Sequence, residues 1–275
     1  MPPESGVSLE QSNAERAGTA RLRLTVLGSG TSMGVPSLGC SCAVCRSADP
    51  HDRRTRPSVL LSFANRNIVI DTTPDFRFQA LRAGLDRLDA VLFTHGHADH
   101  ILGLDDIRPF NLKQKGVVPV YASAETQTIL RRTFAYIFDD APAISTLPGV
   151  DLRSIAGPLD LFGVTIQPVP AIHGNISVLG FRFGSAAYLT DFSFVPEDSK
   201  ALLRGLDHLI LDALRYTPHP MHSNVEQSLA LVAELAPRHA WFTHICHDLP
   251  HEETNARLPE NVRLAYDGLS FEVAL

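Results

Sequence analysis

Short apolar runs recur along this chain, and in the first of them apolar and polar positions alternate with a period of two. Leu22, Leu24 and Val26 alternate with Arg21, Arg23 and Thr25, as in a half-buried strand. Val59–Phe63, Ile68–Ile70, Ala90–Phe93 and Val118–Tyr121 predict four further strands. Val164–Pro168, Val178–Phe183, Ala187–Leu189, Asp207–Leu211 and Ala240–Phe242 predict five more, and Tyr266–Ala274 an edge strand at the end. Helical signals are fewer. Pro74–Ala83 opens with Pro-Asp, Ser123 caps a helix running through Phe134, and Asn224–Leu235 is amphipathic. Asp139–Pro158 is punctuated by proline and glycine and assigns no element. There is no internal repeat and no low-complexity run. Strands in both halves with helices interspersed are satisfied by two packed sheets with helices outside.

Composition narrows this picture. The chain has 275 residues, of which 44% are hydrophobic and 20% charged, as expected of a chain with a sizeable core. Met1–Ala20 is polar and rich in small residues, which predicts a disordered tail over 1–20 and a single domain over 21–275. That tail lacks the apolar centre of a secretory signal, and no run approaches the roughly 18 apolar residues of a membrane span. The expected compartment is therefore the cytoplasm, where the four cysteines are thiols or metal ligands rather than disulfides. A formal charge of −6 weighs against broad nucleic-acid binding, so a nucleic-acid partner is not expected. A small anionic substrate stays compatible, because bound dications reverse the local sign. A homodimer is the base-rate expectation for oligomeric state.

The chemistry concentrates at 95–100, His-Gly-His-Ala-Asp-His, directly after a predicted strand. Four metal-binding side chains, His95, His97, Asp99 and His100, fall within six positions, a density that no packing face requires. His95 and His97 can converge on one cation while the Asp99-His100 pair reaches a second. His173, Asp191 and His244 each follow an apolar run and complete a plausible two-metal centre. By contrast, a lone histidine such as His208 or His239 is more often an ordinary packed residue. A second cluster, Cys40-Ser41-Cys42-Ala43-Val44-Cys45, lies in an arginine-rich loop at about 36–57 and forms three quarters of a tetrahedral zinc site. Its fourth donor must come from afar, and Cys246 and His247 are both candidates.

The His95-x-His97-x-Asp99-His100 string with a later His, Asp and His resembles the metallo-β-lactamase-fold hydrolases, across nearly all of 21–275. That resemblance implies an α/β protein, a four-layer αββα sandwich. It implies that His95, His97 and His173 bind one metal, that Asp99, His100 and His244 bind the other, and that Asp191 bridges them. Two cations about 3.5–4 Å apart lower the pKa of a shared water towards about 7, giving a hydroxide nucleophile. Asp71 and Asp212, at strand ends, are the candidates for orienting the imidazoles.

Within that superfamily the chain resembles the branch containing the phosphonate-pathway phosphoribosyl cyclic phosphodiesterases. The shared residues are Gly34-Val35-Pro36, Gly39-Cys40-Ser41-Cys42 with Cys45, and Thr243-His244-Ile245-Cys246-His247. The match implies a structural zinc on Cys40, Cys42, Cys45 and His247. It also implies two active-site divalent ions, manganese or zinc, and a phosphodiesterase opening a small cyclic phosphate. His222 occupies the branch's position for a general acid or phosphate contact, with His219 as its substitute.

Three other features are less specific. Gly28–Gly34 is either a phosphate cradle or a tight strand-to-loop turn. Arg53, Arg54 and Arg56 read as a solvated basic face, with an anion-binding role as the alternative. Asp105-Asp106-Ile107-Arg108 suggests internal ion pairing. Among other functions, a transfer-RNA 3′-processing endonuclease needs a basic arm, and no Lys/Gly-rich insertion is seen; a lactone or thioester hydrolase uses a similar site. Di-iron oxygen or nitric-oxide reduction expects Glu where His97 stands. A non-catalytic descendant is disfavoured because all seven expected ligands are present. Substrate specificity is expected in loops around 30–36, 105–116 and 135–158.

Overall fold

The computed structural model describes residues 21–139 and 146–275, so the expected disordered tail and part of the 135–158 loop lie outside the described residues. Among the described residues, β1 (Arg21–Gly28), β2 (Ser58–Phe63), β3 (Arg66–Ile70), β4 (Ala90–Leu92), β5 (Val118–Ala122) and β6 (Val150–Ser154) lie in one sheet. β7 (Leu159–Leu161), β8 (Val164–His173), β9 (Ile176–Phe183), β10 (Ala186–Leu189), β11 (His208–Asp212), β12 (His239–Thr243) and β13 (Val262–Leu264) form the other. β14 (Ser270–Ala274) returns to the edge of the first sheet, antiparallel to β1.

The two sheets share one plan. In the first, the order is β14-β1-β2-β3-β4-β5-β6, antiparallel up to β3 and parallel beyond it. In the second, β7 to β10 are antiparallel and β10 to β13 parallel. The period-two pattern sorts side chains between faces. Ile68 and Ile70 of β3, Ala90 and Leu92 of β4, and Tyr188 and Ile210 of the second sheet fill the space between the sheets. Val69 and Val91 instead face outward onto Phe76, Phe110 and Leu130 of flanking helices. Leu189, Leu209 and Leu211 face outward onto Val225, Leu231 and Leu235. The result is the αββα sandwich the resemblance implies.

Local chemistry explains several element ends. Asn224 accepts from the Gln227 amide and Gln227 reaches back to the Asn224 amide, a capping box that starts helix Val225–Leu235. The helix predicted over Pro74–Ala83 runs from Phe76 to Arg82; Asp75 stands at its N-cap position, with its carboxylate bonded to Arg56 rather than to the helix amides. The last strand is Ser270–Ala274 rather than Tyr266–Ala274, since Gly268 (φ 97°) turns the chain before it. β8 runs past Pro168 to His173; β7 pairs only its Val164–Ile166 segment, so no neighbour there needs the N–H that Pro168 and Pro170 lack. His173 is thus the last residue of the strand, not a residue beyond it. β6 and β7 lie in or beside the unassigned stretch, and β13 has too short an apolar run to stand out. No described helix is long and apolar enough to cross a membrane.

Candidate metal centre

The parallel strands of both sheets deliver their carboxyl ends to one rim, where loops carry the polar residues. β4 leads into the 95–100 turn, β8 ends at His173, and β10, β11 and β12 lead into Asp191, Asp212 and His244. Asp71, Asp191 and His244 all have positive φ, at 66°, 53° and 56°. Such a backbone is uncommon outside glycine and is tolerated best by Asp, Asn and His. Each bends its chain sharply at a strand end, which turns the side chain onto the rim.

His95, His97 and His173 present ligand atoms that lie within 4.8 Å of one another. The His95 Nδ1 donates to Thr94 Oγ1 at 3.0 Å, which leaves Nε2 free, 2.9 Å from His97 Nδ1. His173 Nδ1 donates to the Met221 carbonyl at 2.7 Å, which likewise frees its Nε2. Burial pushes His95 well below the usual histidine range and His173 down to about 4, so both are neutral donors at pH 7.

Asp99, His100, Asp191 and His244 form a second group of the same tightness. His100 Nε2 lies 3.3 Å from Asp99 Oδ2 and 3.4 Å from Asp191 Oδ1, and His244 Nε2 lies 3.3 Å from Asp191 Oδ2. Asp191 Oδ2 is also 4.0 Å from His95 Nε2, so its carboxylate touches both groups. Burial opposes ionisation of Asp191, but the His244 and His100 charges outweigh it and hold the carboxyl well below its usual range.

The donor set fits a pair of dications. Asp99 Oδ2, His100 Nε2 and His244 Nε2 are buried with no hydrogen-bond partner. Leaving such groups unsatisfied costs about 1–3 kcal/mol each, and a shared cation satisfies all of them. Imidazole and carboxylate donors suit zinc, manganese or iron.

Outer partners orient these donors. The fully buried Asp71 accepts from the Thr94 amide at 2.9 Å, the Thr94 hydroxyl at 2.8 Å and His100 Nδ1 at 2.7 Å. Asp212, the other candidate, accepts from His222 Nδ1 at 2.8 Å and lies 3.9 Å from His244 Nδ1, beyond hydrogen-bond reach. It therefore holds His222. The His222 ring sits 4.5 Å from that of His173 and 4.6 Å from that of His244, on the rim of the centre. His219 lies one ring further out, 5.1 Å from His222, with its Nδ1 taken by the Met221 amide.

Cys40, Cys42 and Cys45 surround His247 Nδ1 at 3.2, 3.4 and 3.4 Å. These separations approach the edges of a zinc tetrahedron with about 2.3 Å sulfur and 2.0 Å nitrogen bonds. Cys246 stands outside the group; its buried sulfur accepts from the Asp248 amide at 3.4 Å. A hydrogen bond from the Cys45 amide brings the Cys42 thiol down to about 6, towards the thiolate a metal needs.

One sequence expectation requires correction. Arg54 is no solvated face: it is 1% exposed. Its guanidinium holds Asp52 at 2.9 Å and the Cys246 and Leu249 carbonyls at 3.0 and 2.7 Å, tying the cysteine loop to the segment after His244. Arg56 pairs with Asp75 at 3.0 Å instead of offering an anion site. In the Gly28–Gly34 turn, the Ser29, Gly30, Thr31 and Gly34 amides bond to Asp267, Thr55, Ile245 and Thr31, so this run is a packed turn rather than a phosphate cradle. A Cβ on Gly28 would lie 1.9 Å from the Arg56 carbonyl, which explains the glycine. Asp105 and Arg108 do approach, at 3.6 Å. Sequence reasoning missed Thr94 and Asp267. The Asp267 carboxylate accepts from both the amide and the hydroxyl of Ser29 and of Thr55. Its only sequence mark is an Asp-Gly turn.

Comparison with known proteins agrees with the geometry. Residues 66–245 match the Beta-lactamase superfamily domain. A crystal structure of a diphosphatase from the PhnP family superposes with a TM-score of 0.87 at 53% identity, over 93% of this chain and 99% of that one. The chain belongs to the metallo-β-lactamase superfamily of hydrolases, in its PhnP-family branch. It is 38% identical over 256 residues to an octanoyltransferase of Porphyromonas gingivalis, matching 90% of this chain but 51% of that protein. It thus spans about half of that relative. Over 154 residues it is 32% identical to ribonuclease Z of Bradyrhizobium diazoefficiens, covering 54% of this chain and 49% of that one.

Proposed function

We propose that this hydrolase is a binuclear metal-dependent phosphodiesterase opening a small cyclic phosphate, of the phosphoribosyl 1,2-cyclic phosphate kind. The observation that carries the reading is the position of His222, held by a buried carboxylate at the edge of seven converging metal donors. His95, His97 and His173 would hold one ion, Asp99, His100 and His244 the other, and Asp191 would contact both. Such a pair of zinc or manganese ions, when bound, supplies an activated water near neutral pH and offsets charge building on the phosphoryl oxygens.

The protein's own groups do the rest. Opening a cyclic diester forms a P–O bond from water and breaks a P–O bond to an alkoxide, which needs a proton as it leaves. His222 Nδ1–H is anchored on Asp212, which leaves Nε2 as the ring nitrogen able to hand a proton to that oxygen. Asp71 and the Met221 carbonyl fix His100 and His173 so that the donors need no rearrangement. At the cysteine knob, Cys40, Cys42, Cys45 and His247 would hold a structural zinc with no open position, fastening the 36–57 loop beside His244.

A second reading, cleavage of a diphosphate linkage, is favoured by the likeness to the PhnP-family diphosphatase. The leaving group distinguishes the two. A phosphate with a pKa of about 6 departs without protonation, whereas an alkoxide does not. The test is a panel of cyclic sugar phosphates, cyclic nucleotides, a linear diester, a diphosphate and a lactone or thioester, with zinc and with manganese. His222→Ala should lower turnover of cyclic diesters by about 10²–10⁴-fold and leave diphosphate cleavage much less affected. Metal-loaded enzyme turning over no phosphate ester would overturn the proposal, and salt-sensitive binding and cleavage of precursor tRNA would favour the ribonuclease Z-like alternative.

A further inference from the structure

Behind the cysteine knob, the short turn Pro50–Asp52 meets the helix His251–Asn255. His51, His251 and Glu252 there present ligand atoms within 4.8 Å of one another. The His51 and His251 rings lie 4.6 Å apart, and Tyr266 backs His51 at 4.3 Å. His251 is 4% exposed, and its Nδ1 is buried without a hydrogen-bond partner. A buried ring nitrogen without a partner, on a ring beside two other donors, calls for a water or an ion. His51 and Glu252 close it from the solvent side, where the His51 side chain is 39% exposed.

Charge favours a cation. The groups facing the cluster are Asp49, whose Oδ1 is 3.5 Å from His51 Nδ1, and Asp52, which accepts from the His251 amide at 2.9 Å. Glu252 adds a third carboxylate. The Arg54 guanidinium opposes a cation there, and Asp52 already pairs with it at 2.9 Å. Burial, reinforced by the His51 and Arg54 charges, pushes the His251 imidazole down to about 4, so its lone pair is free at neutral pH.

We propose that His51, His251 and Glu252 form a further metal site, separate from both clusters already described, that takes an exchangeable borderline dication such as Zn²⁺. Two imidazoles and a carboxylate suit such an ion, with water completing the coordination on the open side. Donors of one tetrahedral ion sit about 3.3 Å apart, a separation that rotation of the exposed Glu252 and half-exposed His51 side chains can reach. The site joins the same two chain segments as the cysteine knob, the loop before β2 and the segment after His244. Its occupancy would stiffen the segment that carries His244 and His247 rather than take part in chemistry.

The test compares zinc binding by the full chain with that of His51→Ala/Glu252→Gln, by equilibrium dialysis against zinc buffers with metal counted by mass spectrometry. Wild type should bind one more equivalent than the variant, and a mild chelator should remove it first. Glu252→Gln alone, at an exposed position, should weaken that equivalent by about tenfold or more. The rise in Tm that accompanies its binding should be absent from the double variant. The cysteine and active-site ions are common to all these proteins, so the difference reads this site alone. Equal zinc stoichiometry and affinity in wild type and both variants would overturn the proposal.

Discussion

The two sheets follow one plan yet supply the centre in opposite ways. The first delivers His95, His97, Asp99 and His100 from a single turn after β4. The second delivers His173, Asp191, Asp212 and His244 from four strand ends far apart in sequence. A contiguous turn is fixed by local geometry and one outer carboxylate, Asp71. The scattered set is fixed by the side-by-side pairing of β8 through β12, with the Met221 carbonyl holding His173. Half of the centre therefore depends on local sequence, and half on the integrity of a sheet.

The largest test of that contrast is Asp191→Ala. Removing the carboxylate that touches both donor groups should cost two metal equivalents and lower turnover by about 10³-fold or more. His97→Ala should remove one equivalent only. Retention of both ions by Asp191→Ala would show that the second sheet does not supply the bridge.

Packing comes next. Phe181 of β9 is fully buried between the sheets, and Phe181→Ala should destabilise the fold by about 3–5 kcal/mol in denaturant unfolding. Phe78, 68% exposed on a flanking helix, should change stability by less than about 0.5 kcal/mol on truncation.

The outer carboxylates sharpen the comparison further. Asp71→Asn should weaken metal binding by about 10–100-fold, because it disturbs the orientation of His100. Asp212→Asn should spare the metals and slow the alkoxide-releasing reaction. If both variants lose metal equally, Asp212 serves the ligands rather than His222.

A smaller effect follows from charge in the metal-free protein. Burial opposes the His244 imidazolium, but Asp191 and Asp99 raise it to about 9. A raised folded-state pKa stabilises fully below the unfolded value near 6.5, and that stability is lost as pH climbs through about 9. Metal-free protein should therefore lose Tm across that window. A flat Tm from about pH 6.5 to 9 would show that His244 does not carry that charge.

The 95–100 string was legible because local spacing alone concentrates the donors. His173, Asp191 and His244 each look like an ordinary strand-end polar residue, and only beside the string, with the resemblance in support, do they read as ligands. β2, β3 and the Asn224-capped helix were readable because short apolar runs and capping are local. β6 and β13 are short and pair with strands more than twenty positions away, and β7, although its hairpin partner is close, has only the three residues Leu-Asp-Leu to announce it. Arg54 was misread for a related reason. A run of arginines reads as solvated, and only the fold brings the Cys246 and Leu249 carbonyls onto its guanidinium. Thr94 and Asp267 act through hydrogen bonds that composition does not announce.

The pairing of β1 with β14 bears on how the molecule is made. Thr25 meets Ser270 across 245 positions, so β1 leaves the ribosome long before its neighbour on that side exists. Until then an apolar strand stands at an open sheet edge, the kind of surface that recruits other nascent chains. Arg21 and Arg23, whose side chains project from that strand, place positive charge along the waiting edge and discourage such encounters until synthesis reaches its partner.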